Sequence, residues 1–558
     1  MGVTKLVTDD ELNHLDQASK AMELVGGFVA QVKNTVSNRV VEDGRAKSAK
    51  INKEQRIVHG YAWIETTYIA LRSVLDWAKA REIEGSLKEA DSLAVDIVFG
   101  EYLVQILTGI PMGQNEYIRP TDFGLLEEAR ALLEKPDIRF FLEAGNTAEK
   151  RARLAQLIAD GQGISDEFND EMLDAVKDQY RRFTEDKIVP NAHQWHLDNA
   201  LIPDEVVKEM AELGTFGVCI PEEHGGLGLG KLFMCIVTEE LSRGWIGAGS
   251  LGTRSEIAGE LILHGGTQAQ KEKWLPSIAS GDILPTAVFT EPDTGSDLGS
   301  LKTRATENED GSWTISGAKT WITHAARSDV MTLLARTKPD IKGYAGLSML
   351  LVPKPRGNDD NLFPVDGLTG TEIEVLGYRG MREYELGFDE YMAPADALLG
   401  GEEGRGFKQL MATFEGARIQ TAARAVGVAV RALELGLKYA MERKQFGQAI
   451  INFPRVSDKI AMMAVDILMS REITYFSARE KDKGRRCDIE AGMAKLFAAR
   501  TAWANADASL QIHGGNGYAL EYEISRILCD ARILNIFEGA GEIQAQVVAK
   551  GKLVNRKP

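Results

Sequence analysis

Between residues 286 and 400 the hydrophobic pattern of this chain shortens abruptly, and that change limits its architecture more than any other feature. Apolar stretches at 287–290, 301–306, 313–316, 330–335, 347–352 and 386–389 are separated by Gly, Pro and Asp. Short runs bounded by such residues read as strands. On both sides the pattern is helical. Residues 163–285 are helix-rich, with Ile202-Pro203-Asp204 opening a helix and Glu222-Glu223-His224-Gly225-Gly226 forming a turn. Residues 401–558 return to helix, and the longest run, 407–442, is rich in Ala and Leu and poor in Gly and Pro, the composition that favours helix. Helices on either side of a separate block of strands imply an α+β fold.

A further helical segment, residues 1–162, precedes this arrangement. Thr8 and Glu11 have capping-box spacing, and Leu12, Leu15, Met22, Val25, Val29, Val32 and Val36 then recur mostly at three- and four-residue steps, as one buried helix face requires. Residues 57–80 form a second amphipathic stretch. Ser86 and Glu89 open a third, 87–107, which stops at Gly109-Ile110-Pro111. A polar linker, 145–165, leads onward. At ~100–200 residues per domain, a chain of 558 residues divides into segments 1–162, 163–285, 286–400 and 401–558. Residues 107–113 faintly resemble 511–517, which leaves two readings of the first segment: an old copy of the C-terminal helical half, or a helical bundle covering part of the surface.

The net charge of −17 argues against nucleic-acid or membrane-surface binding, which needs a basic face. No apolar run reaches spanning length, and the N-terminus runs into Asp9, Asp10 and Glu11, so a cytoplasmic location is expected. Cys219, Cys235, Cys487 and Cys529 are widely spaced with no CxxC pair, which fits reduced buried thiols and no zinc site. His193 and His196 near Asp198 lack a third ligand and read as a solvated helix end. The glycine run at 225–230 lacks the spacing of a dinucleotide fingerprint.

Two stretches carry the chemistry. The first, A-V-F-T-E-P-D-T-G-S-D at 287–297, runs from a strand into a turn on Pro292, Gly295 and Ser296, where small residues bare backbone N–H groups to an anion. The second, N-I-F-E-G-A-G-E-I-Q at 535–544, sets Glu538 between apolar residues and a glycine. Such a setting desolvates the acid and is expected to raise its pKa toward that of a useful base. With Lys319-Thr320-Trp321-Ile322-Thr323, Glu442-Arg443-Lys444-Gln445-Phe446-Gly447 and Gln511-Ile512-His513-Gly514-Gly515-Asn516-Gly517, these resemble, in order, the signatures of the acyl-CoA dehydrogenase family.

That resemblance implies a helical domain, a small β-barrel or sandwich domain and a C-terminal four-helix bundle, here with an N-terminal helical extension. It implies FAD as hydride acceptor, because no side chain can accept a hydride, and Glu538 as the base for the α-proton. The oxyanion would be held by the Glu538 N–H and a flavin ribityl hydroxyl. The family's alternative position for the base is occupied by Ala417. Phe289 and Thr290 would lie at the flavin pyrimidine, Gly295 and Ser296 at the pyrophosphate, and Trp321 and Thr323 at the ring and N5. Arg443, Gln445 and Phe446 of a neighbouring subunit, with Gln511, Gly514 and Gly515, would complete the cofactor site, so at least a homodimer is expected. The extension would cover the surface used for a second contact, favouring a dimer. Ala540 and Pro454 depart from the family's usual Thr and Gln and bear on flavin affinity.

On the substrate side the resemblance sets Glu415 and Arg418 at the pantetheine and Ser296 and Gly539 at the thioester. Arg254 brings charge to the floor of the acyl pocket, where it requires a carboxylate, either Glu256 or one on the substrate. Met381, Arg382 and Glu383 replace small residues on a flavin-facing loop, which suits a short polar acyl group or, alternatively, a surface ion pair. Together these imply α,β-desaturation of a short branched dicarboxylic acyl-CoA, with electrons passed to electron-transfer flavoprotein. Another acyl-CoA dehydrogenase, an acyl-CoA oxidase and a non-catalytic damage-response relative remain open.

Overall fold

The computed structural model describes residues 14–554, so the expected cap at Thr8 and Glu11 lies outside the described residues. The first helix, α1 (His14–Val40), buries Leu15, Met22, Val25, Val29, Val32 and Val36, the stripe its spacing requires. Helix α2 (Gln55–Glu84) ends at Gly85, whose left-handed φ of 68° lets the Ser86 N–H reach the Arg81 carbonyl at 2.8 Å. Helix α3 (Glu89–Val98) is capped two residues later than expected, the Lys88 N–H donating to Asp91 Oδ2 at 3.0 Å. It continues through a π-turn at Phe99–Leu103. There Gly100 permits close approach of the next loop: a Cβ would lie 2.3 Å from the Asn146 nitrogen.

The segment expected to be a polar linker is instead built into the fold. Helix α4 (Ala148–Ala159), capped by Thr147, buries Leu154, Ala155 and Leu157. A little beyond it, the Ser165 N–H and hydroxyl both donate to Asp91, at 2.7 and 2.9 Å. Helices with only one narrow apolar stripe read as polar in sequence.

Two buried helices follow, α5 (Lys231–Gly244) and α6 (Ile246–Gly265). The strands β1 (Pro285–Val288), β2 (Arg304–Glu307), β3 (Trp313–Thr323), β4 (Val330–Arg336), β5 (Leu347–Pro353), β6 (Leu368–Ile373) and β7 (Glu383–Ala393) then form one sheet. Its order is β6-β7-β3-β2-β4-β1, with β5 antiparallel to β4. Strands β4 and β5 are buried on both faces, as their continuous apolar sequences require. Strand β6 was not evident in the sequence because it alternates polar residues on a half-exposed edge.

The C-terminal bundle comprises α7 (Gly406–Glu442), α8 (Pro454–Asp482), α9 (Asp488–His513) and α10 (Gly541–Leu553). Pro454 occupies the first position of α8, where a missing N–H costs nothing. The N-terminal helices lie directly on this bundle, and a single apolar cluster runs from Leu15 to Leu553. Polar contacts cross the same seam: Lys552 Nζ to Glu65 at 2.9 Å, Arg151 Nε to Asp458 at 2.8 Å, and Arg500 Nη1 to the Pro111 carbonyl at 2.8 Å. The extension therefore shares its core with the bundle. Among the described residues no helix is long and apolar enough to cross a membrane.

Candidate active site

Glu538 lies on the loop entering α10, with a left-handed φ of 53°, followed by Gly539 at 90°. Such a conformation at a non-glycine residue is strained and persists only where its surroundings hold it. Here Gln544 Nε2 donates to the Glu538 and Gly539 carbonyls, both at 3.2 Å, and Lys495 Nζ donates to the Gly539 carbonyl at 2.7 Å. Lys495 on α9 is fully buried, and burial pushes its pKa down to about 7 against the pull of Glu538. The Glu538 N–H makes no hydrogen bond to the described residues.

Two arginines meet the Glu538 carboxylate. Arg254 Nη2, from α6, donates to Oε1 at 2.7 Å, and Arg424 Nη2, from α7, donates to the same oxygen at 3.0 Å. Arg424 is entirely buried, with Nη1 on Ser250 Oγ at 2.9 Å, Nη2 on Thr421 Oγ1 at 2.6 Å and its guanidinium 4.8 Å from the Phe537 ring centre. The Nε atoms of both arginines are buried without a hydrogen-bond partner.

This corrects two expectations. Arg254 does not pair with Glu256, which faces buried Lys231, itself 2.6 Å from Glu260. Residues two apart on a helix point to different sides. Nor is the Glu538 pKa raised. Burial pushes it up, but the charges of Arg424 and Arg254 and their hydrogen bonds outweigh burial and hold it below the ordinary carboxylate range.

Beside Arg254, Glu383 is buried, and burial pushes its pKa up to about 7. It is the cross-strand partner of Thr323 in the β7–β3 pair, and the Thr323 hydroxyl donates to its two oxygens at 2.8 and 3.0 Å. Arg382 faces away, bonded to Asp359 at 2.8 Å with Glu372 at 3.6 Å. The two charges of that loop therefore do not pair with each other. His324, next to Thr323, is buried with neither ring nitrogen hydrogen-bonded.

Arg418 has no hydrogen bond or ion pair to the described residues and lies 5.6 Å over the Phe414 ring. Glu415 is committed elsewhere, accepting from Lys481 Nζ at 2.7 Å and the Cys487 N–H at 3.1 Å. That leaves Arg418 as the open cation of the pair. Lys319, whose role the sequence did not reveal, is fully buried and donates to the Phe289 carbonyl at 2.9 Å, the Leu334 carbonyl at 2.9 Å and Glu291 Oε1 at 3.1 Å. It fastens the first motif's strand to the sheet.

Three family models match in order: the acyl-CoA dehydrogenase N-terminal domain over residues 170–282, the middle domain over 286–391 and the C-terminal domain over 404–553. The chain belongs to the acyl-CoA dehydrogenase family. Within the family it is 57% identical, over 96% of its own length and 97% of the relative's, to (2S)-methylsuccinyl-CoA dehydrogenase of Cereibacter sphaeroides. Glutaryl-CoA dehydrogenase of Desulfococcus multivorans is 35% identical over 69% of this chain and 97% of its own length. Among solved structures, a glutaryl-CoA dehydrogenase in complex with glutaryl-CoA superposes with a TM-score of 0.65 at 33% identity, covering 70% of this chain and 99% of that one. Butyryl-CoA dehydrogenase from Megasphaera elsdenii gives 0.64 at 31% identity, covering 69% and 98%.

Members of this family are flavoenzymes acting on acyl-CoA thioesters, and the residues present here fit a flavin. Trp321 keeps 56% of its surface exposed on a left-handed backbone of φ 57°, presenting an aromatic face to a ring. Phe289 and Thr290 are half-buried, the Thr290 carbonyl accepting from the N–H of Thr320, the residue before Trp321, at 3.0 Å, and Gly295 and Ser296 are exposed on their turn, where a Cβ added to Gly295 would meet nothing within 4 Å. Arg443, Gln445 and Phe446 lie exposed on the Lys444–Gln445 and Gln448–Ala449 hairpin, and Phe446 is 93% exposed. Gln511, Gly514 and Gly515 are exposed at the end of α9.

Proposed function

We propose that this enzyme desaturates (2S)-methylsuccinyl-CoA to mesaconyl-CoA, using FAD and passing electrons to electron-transfer flavoprotein. The observation that carries the reading is the convergence of Arg254 and Arg424 on Glu538, each with an unspent Nε. Two guanidiniums beside the base suit an acyl group whose far end is a carboxylate, since planar forked donors match a carboxylate and an unpaired buried charge is costly. Whole-chain similarity to a protein named for that substrate supports the same choice.

In this reading Glu538 takes the α-proton, its own N–H donates to the thioester oxygen, and Arg418 faces the pantetheine. Arg254 and Arg424 hold the distal carboxylate and thereby fix which configuration of the α-carbon presents its single hydrogen to Glu538. FAD supplies the acceptor for the β-hydride. Phe289, Thr290, Gly295, Ser296, Trp321 and Thr323 would hold it, with Gln511, Gly514 and Gly515 and with Arg443, Gln445 and Phe446 contributed by a second copy of the chain. Glu383, bonded to Thr323, fixes that hydroxyl beside Arg254.

The test is anaerobic bleaching of the flavin spectrum with methylsuccinyl-CoA, glutaryl-CoA and butyryl-CoA side by side. Fast reduction by methylsuccinyl-CoA alone is expected. Preference for butyryl-CoA would overturn the substrate while leaving the family and Glu538 in place.

The exposed Phe446 hairpin supports an assembly of two, because the N-terminal helices cover α8 and α9, leaving that hairpin open. Light scattering is expected to give twice the chain mass of 61.2 kDa. A fourfold mass would overturn it.

A further inference from the structure

The arginine pair of this site can seat a carboxylate, and the chain already supplies one. Arg254 and Arg424 share a single oxygen of Glu538 at 2.7 and 3.0 Å while their Nε atoms stay unpaired. Two guanidiniums and one carboxylate leave one positive charge in excess within a buried cluster, which a second carboxylate would neutralise. The other groups around it do not fill that need. Lys495 and Arg418 add positive charge to the Glu538 side. Tyr378 lies beside both arginines; Glu383, facing Arg254, makes no ion pair with it, accepting instead from the Thr323 hydroxyl, and burial pushes its pKa up to about 7, which disfavours its charge. Glu542 acts on Lys495 from the first turn of α10.

We infer that the distal carboxylate of the substrate displaces Glu538 from Arg254 and Arg424 and so frees the base it is about to need. This rests on the dicarboxylic reading above and adds to it a reason why acyl chains lacking that carboxylate are poor substrates. While the arginines hold it, Glu538 is a weak base, because their pull exceeds the effect of burial. Once they turn to the second carboxylate, burial acts with less opposition and basicity rises. A monocarboxylic acyl-CoA can occupy the cleft but leaves the ion pairs closed. Discrimination then falls on the chemical step rather than on binding, which is where differential stabilisation accelerates a reaction.

The experiment compares the pH dependence of flavin reduction at saturating and at limiting methylsuccinyl-CoA in the holoenzyme. The limiting regime reports the free enzyme and the saturating regime the complex. The acid limb is expected about one pH unit higher at saturation, a tenfold gain in proton affinity. Coincident limbs overturn the inference. A second reading divides the substrate in two: isobutyryl-CoA carries the branched acyl end and formate the carboxylate. Formate is expected to accelerate reduction by isobutyryl-CoA saturably, by about tenfold, and to have no such effect in Arg254→Met. Formate that leaves the wild-type rate unchanged also overturns it. If methylsuccinyl-CoA itself fails to bleach the flavin, the substrate reading falls. If it bleaches rapidly with coincident limbs, only the displacement falls.

Discussion

Glu538→Gln is expected to slow flavin reduction by methylsuccinyl-CoA by ~10³- to 10⁴-fold, the share a positioned general base contributes, while the protein keeps its flavin. Glutamine retains an oxygen able to accept from Arg254 Nη2 and Arg424 Nη2, so the cluster at 2.7 and 3.0 Å survives geometrically. What it loses is the negative charge. Two buried guanidiniums then lack a counter-ion, and the acyl carboxylate becomes their best partner. The variant should therefore bind methylsuccinyl-CoA more tightly than the wild type as it loses turnover, whereas butyryl-CoA should gain nothing. Anaerobic stopped-flow gives the rate, and titration of the flavin spectrum gives the affinity. Bleaching at the wild-type rate would remove Glu538 from the chemistry. Equal affinity changes for both acyl-CoAs would show that its charge does not compete with the substrate's.

What the sequence made legible divides along a physical line. The α–β–α succession and six of the seven strands were readable because each is set by local pattern. The first bundle helix, 407–442 in sequence and Gly406–Glu442 in structure, is the clearest case. Helix Ala148–Ala159 was hidden because its buried stripe is only Leu154, Ala155 and Leu157 among charged residues. The base was legible from its motif, but its pKa was not, because the deciding charges come from residues 284 and 114 positions away. Arg424 did leave a signal. It follows Ala417 and Thr421 by seven and three residues on one face of α7, as the only charge within the stretch from Ala422 to Val430. An arginine in such a run is buried and needs an anion. For Arg254 the local choice of Glu256 failed on helical geometry alone, since a two-residue step turns the side chain away.

Arg254→Met is expected to lower kcat/KM for methylsuccinyl-CoA by ~30- to several-thousand-fold, corresponding to ~2–5 kcal/mol for truncating one partner of a buried charged pair. Methionine keeps an unbranched stem of adaptable shape, so the helix packing around residue 254 should hold. For butyryl-CoA the same change should be neutral or favourable, because removing one of the two charges that depress Glu538 strengthens the base. The selectivity ratio therefore moves further than either rate. Arg424→Met should behave differently. That side chain is wholly buried and also serves Ser250 and Thr421, so its loss leaves those hydroxyls unpaired and should depress both substrates and thermal stability together. The contrast between the variants is the informative result. Losses of equal size for both acyl-CoAs in Arg254→Met would make Arg254 a structural partner of Glu538 and would leave the carboxylate-recognising role without support.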